Sequence, residues 1–388
     1  MNKIRLFSPD LNSNDLNGVK RVFKKRWLGQ GSEVIKLENE FKNFIGSKFA
    51  LAVNSGSAAL QLALSAFNFK KGKKVFVNNL TFVSSANCIL LNHLKPVLID
   101  VDPNTLGFDL NDAKKKIDKD VVAIIVVHYG GHPAEMDKIM KFAKHRNIKV
   151  IEDCAHCLGG IYKKKKLGTW GDIGCFSFEE KKIITSGDGG MIVTNNKKFL
   201  KKIKSMRWCG IEKNTWSREK NFFKNKKSNY DWYYEVSYLG YKYNMNDLSA
   251  CIARSQLRRI NKIIYKRNRL LKYYVKKINK IKIKPLLPYN VNIDNVYWLI
   301  GIRHKDRNAL IKYLNIHNIS TGVHYLPLSK QPLYKKYDKK LIVSNKVWNE
   351  ILTLPFHTNL KFKEIDIIIK YLEKFGINKN INDNFIFN

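Results

Sequence analysis

The chain has no long hydrophobic run. Its longest clean apolar stretch, Val121 to Val127, falls far short of the roughly 20 residues that span a bilayer. The N-terminus, MNKIRLFSPDLN, has no apolar stretch followed by a cleavage site and does not read as a secretory signal. A soluble, cytoplasmic protein with no membrane partner is expected. Cysteines number 6 in 388 residues and follow no framework; most sit among apolar or small neighbours, as reduced core thiols do. Cys154, His156 and Cys157 are spaced closely enough to suggest a metal. A zinc site takes about four ligands, however, and no second Cys/His pair stands at motif spacing, so no metal is expected. Acidic residues are scarce, 32 against 71 basic ones, for a formal net charge of +39. The lysines are spread along the whole chain, in runs such as Lys114–Lys116, Lys163–Lys166 and Lys201–Lys202. Incidental attraction to polyanions at low salt follows from this charge, but a dedicated nucleic-acid partner does not.

What is present is an ordinary apolar content, 44%, enough at this length for a large core and more than one domain. From about residue 45 to 200, short β-branched runs alternate with amphipathic stretches such as Ala58–Phe67 and Ala134–His145. Candidate strands are Phe49–Val53, Lys74–Val77, Pro96–Asp100, Val121–Val127, Lys149–Glu152, Cys175–Phe178 and Met191–Thr194. This alternation implies an α/β fold with a mostly parallel sheet covered by helices. Ligands of such sheets sit beyond the carboxyl ends of the strands. Residues 211–235 lack periodicity and read as a surface excursion. A long helix is expected from Asn246 to Ile278, and after Pro285 short strands and helices suggest a smaller domain. The expected division is 1–255, a large domain, and 256–388, a small C-terminal α/β domain whose tail, INDNFIFN, is loosely held.

Three segments carry chemistry. Asn54–Leu60 is a small-residue turn opening a helix directly after a strand, where backbone N–H groups and the helix dipole favour an anion; Ser and Gly there are also ordinary caps. Val150–His156 is a hydrophobic strand ending on two carboxylates, Glu152 and Asp153, and then His156. A carboxylate at a strand end pairs with a cation, is placed for chemistry, or caps a helix. Gly171–Lys182 is an aromatic strand leading to the pair Lys181 and Lys182, followed by the glycine-rich turn 185–190. A lysine of lowered pKa can form an imine, a carboxylate can hold a pyridinium proton, and a helix N-terminus can bind a phosphate.

These segments, in this order, resemble those of the DegT/DnrJ/EryC1/StrS sugar aminotransferases. The resemblance also takes in Trp27–Gly31, Thr81–Asn87, His128–Asp137, Gly240–Met245 and Val323–Leu328, nearly the whole chain. It implies fold type I of the transferases that depend on pyridoxal 5'-phosphate (PLP), with a seven-stranded sheet in the large domain. It also implies an aminotransferase that cycles PLP with pyridoxamine phosphate. Carried over position by position, Lys182 is the lysine that binds the cofactor covalently and Lys181 a bystander. Asp153 binds the pyridine nitrogen, His156 lies near the ring hydroxyl and Phe82 stacks on the ring. Gly56, Ser57, Ala58 and Ser177 hold the phosphate. Two departures stand out. Asp188 replaces the Glu that relatives carry after the lysine. Lys242 occupies the place where many relatives have an Asn reaching the neighbouring subunit's phosphate, and Asn244, two residues on, takes that contact. Relatives that dehydrate sugars have His in place of the lysine, so Lys182 points to transamination. The implied partners are glutamate, a nucleotide-linked keto sugar and a second copy of the chain in a homodimer with shared sites. Thr81–Asn87 is more like relatives that aminate C4 of a 4-keto-6-deoxy hexose than those acting at C3. A 3-keto sugar, a cyclitol acceptor and a catalytically silent PLP-binding homologue are the alternatives.

Overall fold

The segments rich in β-branched residues form strands. In chain order these are β1 (Phe49–Val53), β2 (Lys74–Asn78), β3 (Lys95–Ile99), β4 (Val121–Val127), β5 (Lys149–Asp153), the short pair β6 (Ile161–Tyr162) and β7 (Lys165–Lys166), β8 (Ile173–Ser177) and β9 (Gly190–Thr194). All but β6 and β7 join one 7-stranded sheet in the order β1-β9-β8-β5-β4-β2-β3. Strand β9 runs antiparallel to both neighbours, while the pairs from β8 through β5, β4 and β2 to β3 are parallel. The expected mostly parallel sheet is therefore present, with ends displaced by a residue or two. In this computed structural model the described residues are 3–211, 233–290, 294–337 and 340–385, with side chains to 376.

Helices cover both faces: α1 (Ser13–Lys24), α2 (Ser32–Ile45), α3 (Gly56–Phe67), α4 (Ser84–Leu91), α5 (Leu110–Lys116), α6 (Met136–Arg146), α7 (Lys197–Met206) and α8 (Asp247–Arg258). Strand β4 shows why the sequence there is continuously apolar. Its Ile124 and Val126 enter the core that α2 and α8 close with Leu37, Phe41 and Ala250. Its Ala123 and Ile125 point the other way, into the core closed by Leu60, Ala63 and Leu64 of α3.

The helix expected from Asn246 to Ile278 is instead two, α8 and α9 (Ile260–Lys280), separated at Arg259. The break is tertiary in origin. The Arg259 guanidinium is held by Asp15 at 2.8 and 2.9 Å and reaches Asp10 at 3.3 Å. Beyond it, β10 (Ile300–Arg303) pairs antiparallel with β11 (Ile351–Leu354). Around this pair pack α9, α10 (Arg307–Ile316) and α12 (Phe362–Phe385), with α11 (Ile342–Val347) between the last two in sequence. Leu271, Tyr274, Leu310, Leu314, Ile365 and Ile368 form their core. Ile4, at the other end of the chain, is buried in the same core and bridges Ile319. The excursion expected at 211–235 lies almost entirely outside the described residues. The tail continues α12 through Phe385, and 386–388 lie outside the described residues. Among the described residues no helix is long and apolar enough to cross a membrane.

One turn docks the C-terminal elements onto the sheet. Gly131 has φ +97°, and a Cβ there would lie 2.3 Å from the Val296 carbonyl oxygen, so only glycine fits. The adjacent Gly130 carbonyl accepts from the Trp298 N–H at 2.9 Å. Trp298 is thereby set beside the carboxyl edge of the sheet.

Candidate active site

At that edge β1 turns into α3. Ser55 caps the helix, its Oγ accepting from the Ala58 N–H at 3.1 Å. Gly56 lies against the end of β8: a Cβ added there would come within 2.8 Å of the Ser177 Cβ. The Ser57 and Ser84 hydroxyls meet at 2.6 Å beside it. A helix N-terminus, free first-turn amides and several hydroxyls make a cradle suited to a phosphate. Ala58, expected among the phosphate donors, does not join it, because its amide already serves the Ser55 cap.

Across from the cradle stands Asp153, the last residue of β5 and only 6% exposed. Its Oδ2 accepts from Ser85 Oγ at 2.7 Å and its Oδ1 from the Ala155 N–H at 3.2 Å. Thr81 Oγ1, at 3.0 Å, in turn supports Ser85. Burial pushes the Asp153 carboxyl above its usual range, against the pull of Ser85, Ala155 and the Lys182 charge. A desolvated carboxylate held in one orientation is ready for a cation, and a protonated ring nitrogen is such a cation.

The neighbouring carboxylate does a different job. Glu152 points to the opposite face and accepts from the amides of Gly168 (2.8 Å), Trp170 (2.7 Å) and Gly171 (2.7 Å). It also takes a bond from His128 Nε2 at 3.2 Å. His128 Nδ1 accepts from the Ala134 N–H at 3.1 Å, which places the ring proton on Nε2. Glu152 thus fastens the 168–171 loop. Glu152→Gln turns an amide NH2 toward these donors and should lower stability by about 3 kcal/mol, read from denaturant unfolding of the cofactor-free protein. His128, rather than His156, comes together with Cys154 and Cys157. Both its nitrogens are engaged, so it presents no lone pair to an ion.

Lys182 lies at the turn after β8, its N–H bonded to the Glu179 carbonyl at 2.9 Å. Of the lysine pair, Lys181 is exposed, with its amine 3.8 Å from Glu179 Oε1, whereas the Lys182 amine is enclosed 4.2 Å from the centroid of the Trp298 ring. Burial lowers the Lys182 pKa to about 8; Glu179 and Asp153 oppose the shift and Lys181 adds to it. His156 stacks on the same Trp298 ring, 4.1 Å from its centroid and 5° from parallel. Its Nδ1 accepts from the Gly130 N–H at 3.3 Å, leaving the proton on Nε2, 3.1 Å from the Tyr325 hydroxyl. Burial and the Lys182 charge hold its pKa well below the ordinary value, so the ring is neutral.

These groups line one cavity of ≈ 350 Å³, over which hangs Phe82, 52% exposed. Gly56, Ser57, Phe82, Asp153, His156, Ser177 and Lys182 all reach it. Asn244 does not. Its backbone bridges Val53, and its side chain lines a separate hollow with Trp27, Trp208 and Lys242. There its Oδ1 is buried without a hydrogen-bond partner among the described residues. Sequence reading gave no role to Ser84, Ser85, Trp298, His324 or Tyr325, which also line the cavity. Trp298 carries no local motif; Ser85 and Tyr325 lie inside stretches noted only for their resemblance.

A model of the DegT/DnrJ/EryC1/StrS aminotransferase family matches residues 9–373. An uncharacterized protein of Methanocaldococcus jannaschii is 35% identical over 385 residues, covering 95% of this chain and 96% of that one. The GDP-perosamine synthase of Escherichia coli O157:H7 is 30% identical over 384 residues, 98% of this chain and 100% of its own. Among solved structures, Helicobacter pylori PseC, an aminotransferase involved in the biosynthesis of pseudoaminic acid, superposes with a TM-score of 0.88 at 25% identity, over 96% of this chain and 98% of that chain. The chain therefore belongs to the DegT/DnrJ/EryC1/StrS aminotransferase family and is an aminotransferase.

Proposed function

We propose that this aminotransferase uses PLP to move an amino group from glutamate to a nucleotide-linked keto sugar, at C4 of a 4-keto-6-deoxy hexose, in amino-sugar biosynthesis for surface glycans. The observation that carries the reading is the enclosed Lys182 amine, of lowered pKa, in one cavity with the buried Asp153 carboxylate and the α3 cradle. When bound, the cofactor supplies an aldehyde that condenses with amines and a ring that draws electron density from the substrate carbon, and it alternates with pyridoxamine phosphate. Ser57, Ser177 and the Gly56 and Ser57 amides at the start of α3 would hold its phosphate. Asp153 would keep the ring nitrogen protonated, His156 would offer its Nε2 proton to the ring oxygen, and Phe82 would be the aromatic side chain placed to cover the ring. Lys182 Nζ takes the proton from the donor's α-carbon and returns it as an acid, a role suited to a pKa near the working pH.

The sugar class is supported by the relatives, a GDP-perosamine synthase and an enzyme of pseudoaminic acid biosynthesis. The C4 position rests on the likeness of Thr81–Asn87. The unpartnered Asn244 Oδ1, away from the cavity of its own chain, supports a homodimer in which it serves the neighbouring site. Cytoplasmic location completes the reading. Glutamate-treated protein offered a panel of nucleotide-linked 3-keto and 4-keto sugars should regain its yellow colour fastest with a 4-keto-6-deoxy sugar; preference for a 3-keto sugar or a cyclitol ketone would redirect the assignment. The lowered Lys182 pKa makes a second prediction. Only the neutral amine attacks an aldehyde, so colour development after PLP is added to cofactor-free protein should quicken with rising pH through a midpoint of about 8. A midpoint near 10.5, the ordinary lysine value, would mean the amine is not enclosed.

A further inference from the structure

Trp298 stands just ahead of β10 and is only 2% exposed. A buried tryptophan is ordinarily part of the core, and its indole N–H ordinarily finds an acceptor there. Here the acceptor is the Lys181 carbonyl, at 2.7 Å and 117 residues away in the chain. That oxygen belongs to the peptide joining Lys181 to Lys182, so the bond fastens the turn that carries the reactive amine. The Trp298 backbone is fixed as well, by its N–H on the Gly130 carbonyl at 2.9 Å. Gly130 also serves His156, donating its own N–H to Nδ1. One turn, in which Gly130 has φ +63°, therefore sets both partners of the stack between Trp298 and His156.

The indole ring meets Lys182 Nζ at 4.2 Å and the His156 ring at 4.1 Å. Phe7, on the N-terminal segment, stacks on it at 5.0 Å and 9°. Core filling alone does not explain why the N–H and the ring both go to groups of the site. We propose that Trp298 is a positioning residue for amino transfer: its N–H anchors the backbone of the Lys182 turn, and its ring shuts water from the amine and keeps the His156 ring in place. Lys182 Nζ and His156 Nε2, the atoms that hold and move protons, are thereby kept in register by a side chain that does not titrate. The proposal rests on the role given to Lys182 above. Loss of water is also the largest cause of the lowered Lys182 pKa. The titratable groups around the amine are Glu179, Lys181 and Asp188 on the flanking turns, Asp153 and His156 at and after the end of β5, and His324. The variants below leave all of them in place.

The test is the rate of colour development after PLP is added to cofactor-free protein, followed against pH in wild type, Trp298→Ala, Trp298→Phe and Phe7→Ala. Wild type should show the midpoint of about 8. Trp298→Ala admits water to the amine and should raise the midpoint by about one unit or more, toward the ordinary lysine value of 10.5. Trp298→Phe keeps a ring but loses the N–H. Its midpoint should stay within about half a unit of wild type. Its plateau rate at high pH should fall by about two- to tenfold, the contribution of one net hydrogen bond. Phe7→Ala opens a hole against the same indole; it should lose stability in denaturant unfolding and leave both readings unchanged. The proposal is overturned if Trp298→Ala keeps the midpoint of about 8, or if Phe7→Ala moves it as far as Trp298→Ala does. An unchanged plateau rate in Trp298→Phe overturns it whether or not Trp298→Ala folds. Failure of the underlying reading shows separately: a wild type that forms no colour, or colour that survives Lys182→Ala, removes the Lys182 role and the proposal with it.

Discussion

Lys182→Ala should abolish amino transfer, by about 10⁴-fold or more, while leaving PLP able to occupy the phosphate cradle. Two functions leave with the amine. One is the covalent hold on the cofactor. The other is the proton shuttle at the donor's α-carbon, where general acid–base catalysis alone contributes about 10²–10⁴-fold. Lys182→Arg should fare no better: it keeps a charge, but a guanidinium neither condenses with an aldehyde nor gives up its proton near neutral pH. Stopped-flow absorbance with glutamate measures the rates. Borohydride reduction followed by mass spectrometry should add the cofactor's mass to the wild-type chain and nothing to either variant. Cofactor mass on another lysine would displace Lys182 from its role.

Asp153→Asn should lower the rate of the glutamate half-reaction by on the order of 100- to 1,000-fold, the loss usual when a placed electrostatic group is removed. The stability outcome should run the other way. Burial raises the Asp153 pKa, so in the cofactor-free protein the ionised form is disfavoured and its cost grows as pH rises from the unfolded value through the raised folded one. Asparagine removes that cost, so the Tm of the cofactor-free variant at pH 7 should be no lower than wild type. A variant both inactive and markedly unstable would indicate that Asp153, like Glu152, mainly fastens the fold.

Adjacent residues with opposite duties show where sequence reading stops. Glu152 and Asp153 end the same strand, and period-two alternation sends one behind the sheet edge and the other into the cavity. Nothing local says which. The same holds for Lys181 and Lys182: the composition of the turn is visible, but enclosure comes from Trp298, placed by the Gly130 carbonyl. The strands were legible because a sheet buried on both faces demands unbroken β-branched runs, as in Val121–Val127. The site residues were legible where they follow strands, as Ser57, Asp153 and Ser177 do. The break at Arg259 was not, because its partners Asp10 and Asp15 are distant in sequence. Nor was the use of His128, whose role is set by the Ala134 amide and Glu152.

The most direct test is the visible spectrum of PLP-loaded protein as glutamate and then a nucleotide-linked 4-keto-6-deoxy sugar are added. A yellow band that bleaches with glutamate, returns with the keto sugar and is missing in Lys182→Ala is the predicted result. A band that glutamate leaves unchanged, or bleaching that persists without Lys182, would contradict it.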